Sequence, residues 1–295
     1  MHNTTEMSDF NKVLQDARDK AFRGGLAGAA AMTVQVSSLM WIRTCMNYQY
    51  RYGTGITDAF KTIYLQGTKK PIFGSQFLGG VRRFYRGFVP ALVQGPASRF
   101  GDTASNAGML ALLESSPSTR DLPVSAKTLA ASMTASCFRV LLMPVDAVKT
   151  SLQVDGGLNT LKGRIRSSGP TAVFHGSMGA AGATFIGHYP WFATYNYLSD
   201  KLPIPDNGLH KLGRNALIGF CSSLVSDTTS NSIRVLKTFR QTAPMKISYI
   251  DAARSIINSD GVSGLLGRGL KVRLIANGLQ GMLFSVLWKH FETMM

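Results

Sequence analysis

The feature that most constrains this chain is a charged decapeptide that follows an apolar segment. Residues 129–143 are mostly apolar or small, and residues 144–153 then read PVDAVKTSLQ. Pro144 cannot donate a backbone hydrogen bond and therefore bends a helix. Asp146 and Lys149 are three residues apart, which puts their charges on one helix face. Charges in an apolar segment are costly unless they face a protein interior. The decapeptide therefore predicts a bent helix with its charged face inside a bundle.

The same register occurs at three places in the chain. We take Ser38, Pro144 and Ser232 as reference positions. Five residues later each copy has a base, and nine residues later an amide: Arg43, Lys149 and Lys237, then Asn47, Gln153 and Gln241. Thirteen and nine residues earlier each copy has a pair of small residues: Gly25 and Ala29, Ala131 and Ala135, Gly219 and Ser223. Small residues at this spacing let helices approach closely. The register predicts three homologous units.

Loop signals set the predicted boundaries of these units. Segment 115–123 is rich in proline and serine, and segment 203–208 contains two prolines and a glycine, as interrepeat loops do. We predict an N-terminal extension over residues 1–20 and repeats over 21–116, 117–203 and 204–295. Each repeat is expected to contain a long helix, a short amphipathic helix and a second long helix. The first repeat also contains a basic insertion at residues 68–83.

Composition limits the class of protein. Hydrophobic residues make up 45% of the chain and charged residues only 16%, but no run of twenty apolar residues occurs. Hydropathy alone therefore leaves a soluble protein open, whereas the spacing of small residues favours a membrane bundle with a polar interior. The net charge of +16 suits anionic lipid headgroups and small anions. We found no nucleic-acid-binding motif, metal-ligand cluster or catalytic constellation, so neither nucleic acid, metal, cofactor nor enzymatic activity is predicted.

The decapeptide resembles the signature of the mitochondrial carrier family, Pro-x-Asp/Glu-x-x-Lys/Arg-x-x-x-Gln. With the repeated register, the resemblance extends over residues 23–291. It implies an all-α membrane protein with six transmembrane helices, arranged as three pseudo-symmetric two-helix repeats with short matrix amphipathic helices. It also implies a multi-pass location in the mitochondrial inner membrane and transport by alternating access.

The resemblance implies a matrix gate in which the acid of each repeat pairs with the base of the next. The residues at gate positions are Arg43, Asp146, Lys149, Arg234 and Lys237. Asp146 is expected to pair with Lys237. Met40 replaces an acid, which is expected to leave Lys149 without a partner. Arg234 also replaces an acid and is expected to face Arg43, or else to extend towards water or lipid phosphate. The gate is therefore expected to be degenerate.

The resemblance also implies a central substrate site, counted from Gly87, Gly176 and Gly269. The matching contact positions are Gln94, Gly95, Ala183, Thr184, Ala276 and Asn277. Arg99 is the expected main anion ligand, since a guanidinium binds carboxylate or phosphate in two places. Its alternative role is an ion pair with Asp102. His188 is expected either to add a proton-sensitive donor or to pack structurally.

Two functions follow from the sequence. The first is transport of a small, anionic metabolite across the inner membrane, with degenerate gates. The second is a transport-deficient carrier fold that acts as an accessory subunit of a large inner-membrane complex. Its support is the loss of gate charges and the basic insertion. Expected partners are membrane lipids including cardiolipin, the metabolite, and in the second case that complex.

Overall fold

A computed structural model describes residues 33–280 of the chain. The regular secondary structure of these residues is entirely helical. The first and last helices are described over residues 33–52 (α1) and 270–280 (α12). Between them lie α2 (Ile56–Thr68), α3 (Gln76–Phe84), α4 (Phe88–Ser115), α5 (Pro117–Arg120), α6 (Val124–Leu141), α7 (Met143–Val154), α8 (Asn159–Ser168), a 3-10 helix (Pro170–Phe174), α9 (Ser177–Lys201), α10 (Gly208–Thr242) and α11 (Tyr249–Gly267).

Proline explains the difference between two equivalent helices. Pro144 lies in the first turn of α7, and the axes of α6 and α7 differ by 64°. Ser232 occupies the same register in the third repeat, where α10 continues without a break for 35 residues. A serine keeps the backbone N–H that proline lacks. The bend predicted from Pro144 is therefore confirmed.

Three glycines fix the starts of the second long helices. Gly87, Gly176 and Gly269 all have positive φ, at 85°, 107° and 65°. Glycine adopts this conformation without the strain that a Cβ atom would cause. At Gly269 an added Cβ would also lie 2.6 Å from Cε1 of Tyr50. The helices α4 and α9 begin immediately after Gly87 and Gly176.

The long helices pack as neighbours in the order α4, α6, α9 and α10. The contact face of α6 consists of small and hydroxyl side chains. Ala131 and Ala135, the predicted small pair of the second repeat, are both buried. Gly219 and Ser223, the corresponding pair on α10, are half-buried. The pair at Gly25 and Ala29 lies outside the described residues.

Three buried arginines join each repeat to the next. Arg83, Arg164 and Arg268 donate hydrogen bonds to backbone carbonyls at the C-terminal ends of α7, α10 and α1. The acceptors are the carbonyls of Gln153 and Val154, of Gln241 and of Arg51. Unpaired carbonyls at a helix end carry partial negative charge, which a guanidinium neutralises. These contacts link the first predicted repeat to the second, the second to the third, and the third to the first.

Helix length and apolar character together identify one candidate membrane-crossing segment within residues 33–280. Over residues 33–280, no single helix combines enough length with enough apolar character to cross a bilayer. The bent pair α6 and α7 meets both criteria when the two helices are taken together.

Candidate functional site

A cavity of about 320 Å³ lies between the long helices. Its lining comes from α1, α4, α6, α7, α9, α10 and α12, so every predicted repeat contributes side chains. Most of the lining groups are polar or charged. The cavity is therefore the region of the described structure in which a hydrophilic solute would find partners.

The sequence-predicted contact positions are brought together in this cavity. Its lining includes Gln94, Gly95, Ala183, Thr184, Ala276 and Asn277. They belong to α4, α9 and α12, which all start at a left-handed glycine. Gln94 is held on both sides, since its amide donates to Ser98 at 3.0 Å and its carbonyl accepts from Lys149 at 3.0 Å. Ala183 and Ala276 are small enough to leave space between the helices.

Arg99 lies in α4, twelve residues after Gly87, but its side chain is outside the part of the chain that the structure describes. Its suggested partner Asp102 forms an ion pair with Arg139 of α6, at 2.6 Å. Asp102 and Arg139 both line the cavity. The carboxylate that was considered for Arg99 is thus bonded to another arginine.

His188 lies between α6 and α9 and is not among the cavity-lining residues. Its Nδ1 atom is 3.2 Å from the hydroxyl of Ser132, and its ring meets the ring of Phe192 edge-on at 6.2 Å. This placement fits the packing role better than the ligand role that the sequence also suggested.

Asp146 is the centre of the predicted gate residues. Its carboxylate is buried and accepts from the ammonium of Lys149 at 2.7 Å and from that of Lys237. The amide of Gln241 donates to the same carboxylate at 3.2 Å. The expected contact between Asp146 and Lys237 is therefore present, and it joins α7 to α10.

The expectation that Lys149 lacks a partner is wrong. Its ammonium donates both to Asp146 and to Gln94. The spacing of three residues on α7 lets Asp146 serve its own helix and α10 at once, because its two oxygens point to different lysines. Met40 instead contacts the amide of Gln153, with its sulfur 3.4 Å from Nε2.

Arg43 and Arg234 both line the central cavity. The Nε atom of Arg234 donates to the hydroxyl of Ser230, one turn earlier in α10, at 3.2 Å. Arg234 therefore faces the cavity and does not extend outwards to lipid phosphate, which was the second expectation for it. Like charges in one cavity repel unless water or an anion lies between them.

A second carboxylate centre was missed by the sequence reasoning. Asp227 of α10 lies 2.6 Å from Nε of Arg273 in α12 and also accepts from Asn277. The Nη1 atom of Arg273 donates to the hydroxyl of Tyr50 in α1 at 3.3 Å. The available signal was that Asp227 is the only acidic residue within α10.

Cations outnumber carboxylates around the cavity. The cationic lining residues with described side chains are Arg43, Arg139, Lys149, Arg234, Lys237 and Arg273. The carboxylates paired with some of them are Asp102, Asp146 and Asp227. An enclosed surface with an excess of one charge concentrates small ions of the opposite charge. The arrangement can therefore attract and hold an anion.

Residues 209–295 match the family model described as mitochondrial carrier protein. This part of the chain is therefore similar to proteins of the mitochondrial carrier family. The matched residues lie within the predicted third repeat and include α10, α11 and α12. Proteins of the mitochondrial carrier family are in general solute transporters of the mitochondrial inner membrane, not enzymes. A comparison with curated proteins finds no match to this sequence.

Proposed function

We propose that this carrier-family protein transports a small anionic metabolite across the mitochondrial inner membrane by alternating access, with the central cavity as its binding site. The observation that carries the proposal is the cationic lining of that cavity by residues of all three repeats. The carboxylates there are already bonded to lysine or arginine. The remaining positive charge is the complement of an anionic solute.

The proposed architecture is multi-pass, with six transmembrane helices in repeats 21–116, 117–203 and 204–295 after an extension over residues 1–20. Its support is the equivalent construction of the repeats. Three left-handed glycines precede α4, α9 and α12, and three arginines connect the repeats in a closed cycle. The short helices α2, α8 and α11 occupy the positions expected of matrix helices.

In this proposal Arg99 is the main anion ligand. The other contact residues are Gln94, Gly95, Ala183, Thr184, Ala276 and Asn277. His188 belongs to the packing between α6 and α9 because its ring is held there by Ser132 and Phe192. Guanidinium binds a carboxylate or phosphate through two parallel hydrogen bonds, which favours substrates with those groups.

The proposed matrix gate is asymmetric. Asp146 connects α7 to α10 through Lys237 and also bonds to Lys149. Arg43 and Arg234 add positive charge to the same region. Opening on this side would have to break the contact between Asp146 and Lys237. A bound anion can favour that change only if it binds one state more tightly than the other.

The test is uptake by liposomes that contain the purified protein. Labelled monocarboxylates, dicarboxylates, tricarboxylates, phosphate and nucleotides would be presented in turn. We expect uptake of at least one of these anions by the native protein and its loss in Arg99→Ala. Arg254→Ala is the control, since Arg254 is an exposed arginine on α11. Uptake that survives Arg99→Ala would contradict the site assignment. A folded protein that takes up none of these anions would contradict transport.

The accessory-subunit function remains a second proposal because one observation favours it. The insertion of the first repeat forms α3, which exposes apolar side chains on its outer face. A partner within a large inner-membrane complex would cover such a face. In that case Arg99→Ala has no effect, and deletion of the insertion releases the protein from the complex. Cardiolipin is also proposed as a lipid partner, on the basis of the net positive charge.

A further inference from the structure

The insertion at residues 68–83 contains a tight two-residue turn immediately before α3. Ile72 and Ser75 exchange backbone hydrogen bonds of 2.8 and 3.2 Å. The residues between them, Phe73 and Gly74, have φ values of 48° and 76°. Two positive values in succession are typical of a type I′ turn, in which asparagine, aspartate and glycine are the usual residues. Phenylalanine is an unfavourable choice for the first position.

Within residues 33–280, the side chain of Phe73 is 100% exposed and therefore gains no compensating burial. A bulky residue in a left-handed conformation is strained, and such residues cluster at functional sites. Burial of the ring in an apolar environment would offset that strain. The tip of the turn therefore presents an exposed apolar ring, as a membrane anchor does before it enters a bilayer.

The exposed face of α3 continues this apolar surface. Phe77, Leu78 and Val81 are 64%, 45% and 38% exposed. The spacing puts Phe77, Leu78 and Val81 on one side of the helix. Together with Phe73 these residues form what we name the insertion surface.

The insertion surface is held rigidly. Gly67 of α2 and Gly79 of α3 pack backbone against backbone, so that a Cβ at Gly67 would lie 2.4 Å from the carbonyl oxygen of Gly79. Ser75 caps α3 by accepting from the amide of Leu78. The hydroxyl of Thr44 in α1 donates to the carbonyl of Phe84 at 2.6 Å. The hairpin is thus attached to the helical bundle at both of its helices.

Charge around the insertion surface is positive throughout. No acidic residue occurs between Asp58 and Asp102. The exposed bases of the hairpin are Lys61, Lys69, Lys70 and Arg82. Each lysine or arginine near an anionic bilayer adds electrostatic attraction to it. Exposed apolar and basic side chains in one segment are typical of membrane-surface anchors.

We propose that the insertion surface is an anchor for an anionic bilayer surface, with Phe73 entering the acyl region and the lysines and Arg82 contacting lipid phosphate. A protein partner is the less favoured occupant, because a basic rim without acidic residues needs no specific shape to meet an anionic lipid surface, whereas a protein surface would have to supply complementary acids. The anchor would act whether or not the protein transports a solute.

The test uses the full-length protein in vesicles, with its three cysteines replaced and a nitroxide spin label on Phe73→Cys or Phe77→Cys. Met245→Cys is the control, because Met245 is 75% exposed in the loop between α10 and α11, outside the insertion. Vesicles contain phosphatidylcholine alone or equal amounts of phosphatidylcholine and phosphatidylglycerol. The measurement is accessibility of the label to oxygen, which dissolves in lipid, relative to a water-soluble nickel complex.

In anionic vesicles we expect an oxygen-to-nickel ratio several-fold higher at positions 73 and 77 than at 245. Replacing Lys69, Lys70 and Arg82 together by glutamine should lower that ratio towards the control. Equal ratios at all three positions would overturn the proposal. Penetration that is unchanged in phosphatidylcholine alone would overturn its anionic part. A protein partner would be identified instead if the labels are accessible to the nickel complex in vesicles but inaccessible to both oxygen and the nickel complex in mitochondrial membranes.

Discussion

Asp146 joins two lysines and one amide inside the central cavity, on two different helices. The single negative charge of Asp146 is therefore shared by two positive charges, those of Lys149 and Lys237. Its loss leaves two ammonium groups facing each other in a confined space, and the repulsion between them is only partly screened.

We predict that Asp146→Asn lowers the free energy of unfolding by about 3 kcal/mol, because the two lysines lose their shared counter-ion. Thermal unfolding of the detergent-solubilised protein would measure the change. Asp200→Asn is the control, since Asp200 is exposed at the end of α9. Equal unfolding temperatures for the two variants would show that the carboxylate does not stabilise the fold.

His175 makes the stability depend on pH outside the helices proposed to span the membrane. Burial lowers its pKa from the usual value, and the nearby cations Arg164, Arg240 and Lys246 lower it further. Between the folded and unfolded pKa values only the unfolded chain binds the proton, so acid favours unfolding. We expect stability to fall as pH decreases through about 6.5 and then to level off below the folded pKa.

The measurement for His175 is the unfolding temperature from about pH 7.5 to about pH 5.5, the range in which histidine titrates. His175→Gln should flatten this dependence. His210→Gln, at an exposed position near the start of α10, should leave it unchanged. A native-like slope in His175→Gln would assign the titration to another group.

At the scale of the helices, three arginines make equivalent contacts between predicted repeats, although they occupy different positions in their repeats. Arg83, Arg164 and Arg268 precede the glycine of their own repeat by four, twelve and one residues. Each nevertheless reaches the carbonyl end of the next repeat's first long helix. Burial lowers the pKa of Arg83 to about 10, with the neighbouring Arg86 adding to the effect. Its guanidinium thus stays charged at neutral pH.

We predict that Arg83→Met destabilises the protein by about 3 kcal/mol, because two carbonyls at the end of α7 lose charged donors. Arg82→Met is a matched control on the same helix, since Arg82 is exposed. It should change stability by no more than about 0.5 kcal/mol. Chemical or thermal unfolding in one detergent would compare the two variants, and equal effects would refute the role of Arg83 between the repeats.

At the scale of the whole molecule, the contacts between repeats close on themselves within one chain. Arg268 of the third repeat donates to Arg51 at the end of α1. Asp227 and Arg273 also connect to α1 through Tyr50. Within residues 33–280, the predicted repeats are thus joined in one chain, and that chain supplies the described lining of the cavity.

We therefore expect the tagged protein to migrate as a lone small species on a native gel after gentle extraction of mitochondrial membranes. The deletion of residues 69–82 should leave this migration unchanged. Stable comigration with a very large complex would favour the accessory-subunit function, above all if the deletion abolishes it. Extraction in a harsher detergent controls for weak association.

Local chemistry decided which parts of the fold were predictable. The bend at Pro144 and the helix starts after Gly87 and Gly176 follow from missing donors and from positive φ, which a residue determines for itself. The contact between Asp146 and Lys237 could be predicted because the resemblance to the carrier family assigns both residues to gate positions. Asp227 was visible as a lone acid in α10, but nothing in its local sequence pointed to Arg273.

The sequence by itself determined the three-fold register, the bends and turns, and the resemblance to the mitochondrial carrier family, because covalent and backbone constraints act over a few residues. Only the tertiary structure decided which charges meet. Lys149 has two partners because Gln94 comes from α4, and Arg234 faces the cavity because of the rotation of α10. Side chains far apart in sequence pair according to helix orientation and depth, and those depend on the packing of the entire bundle.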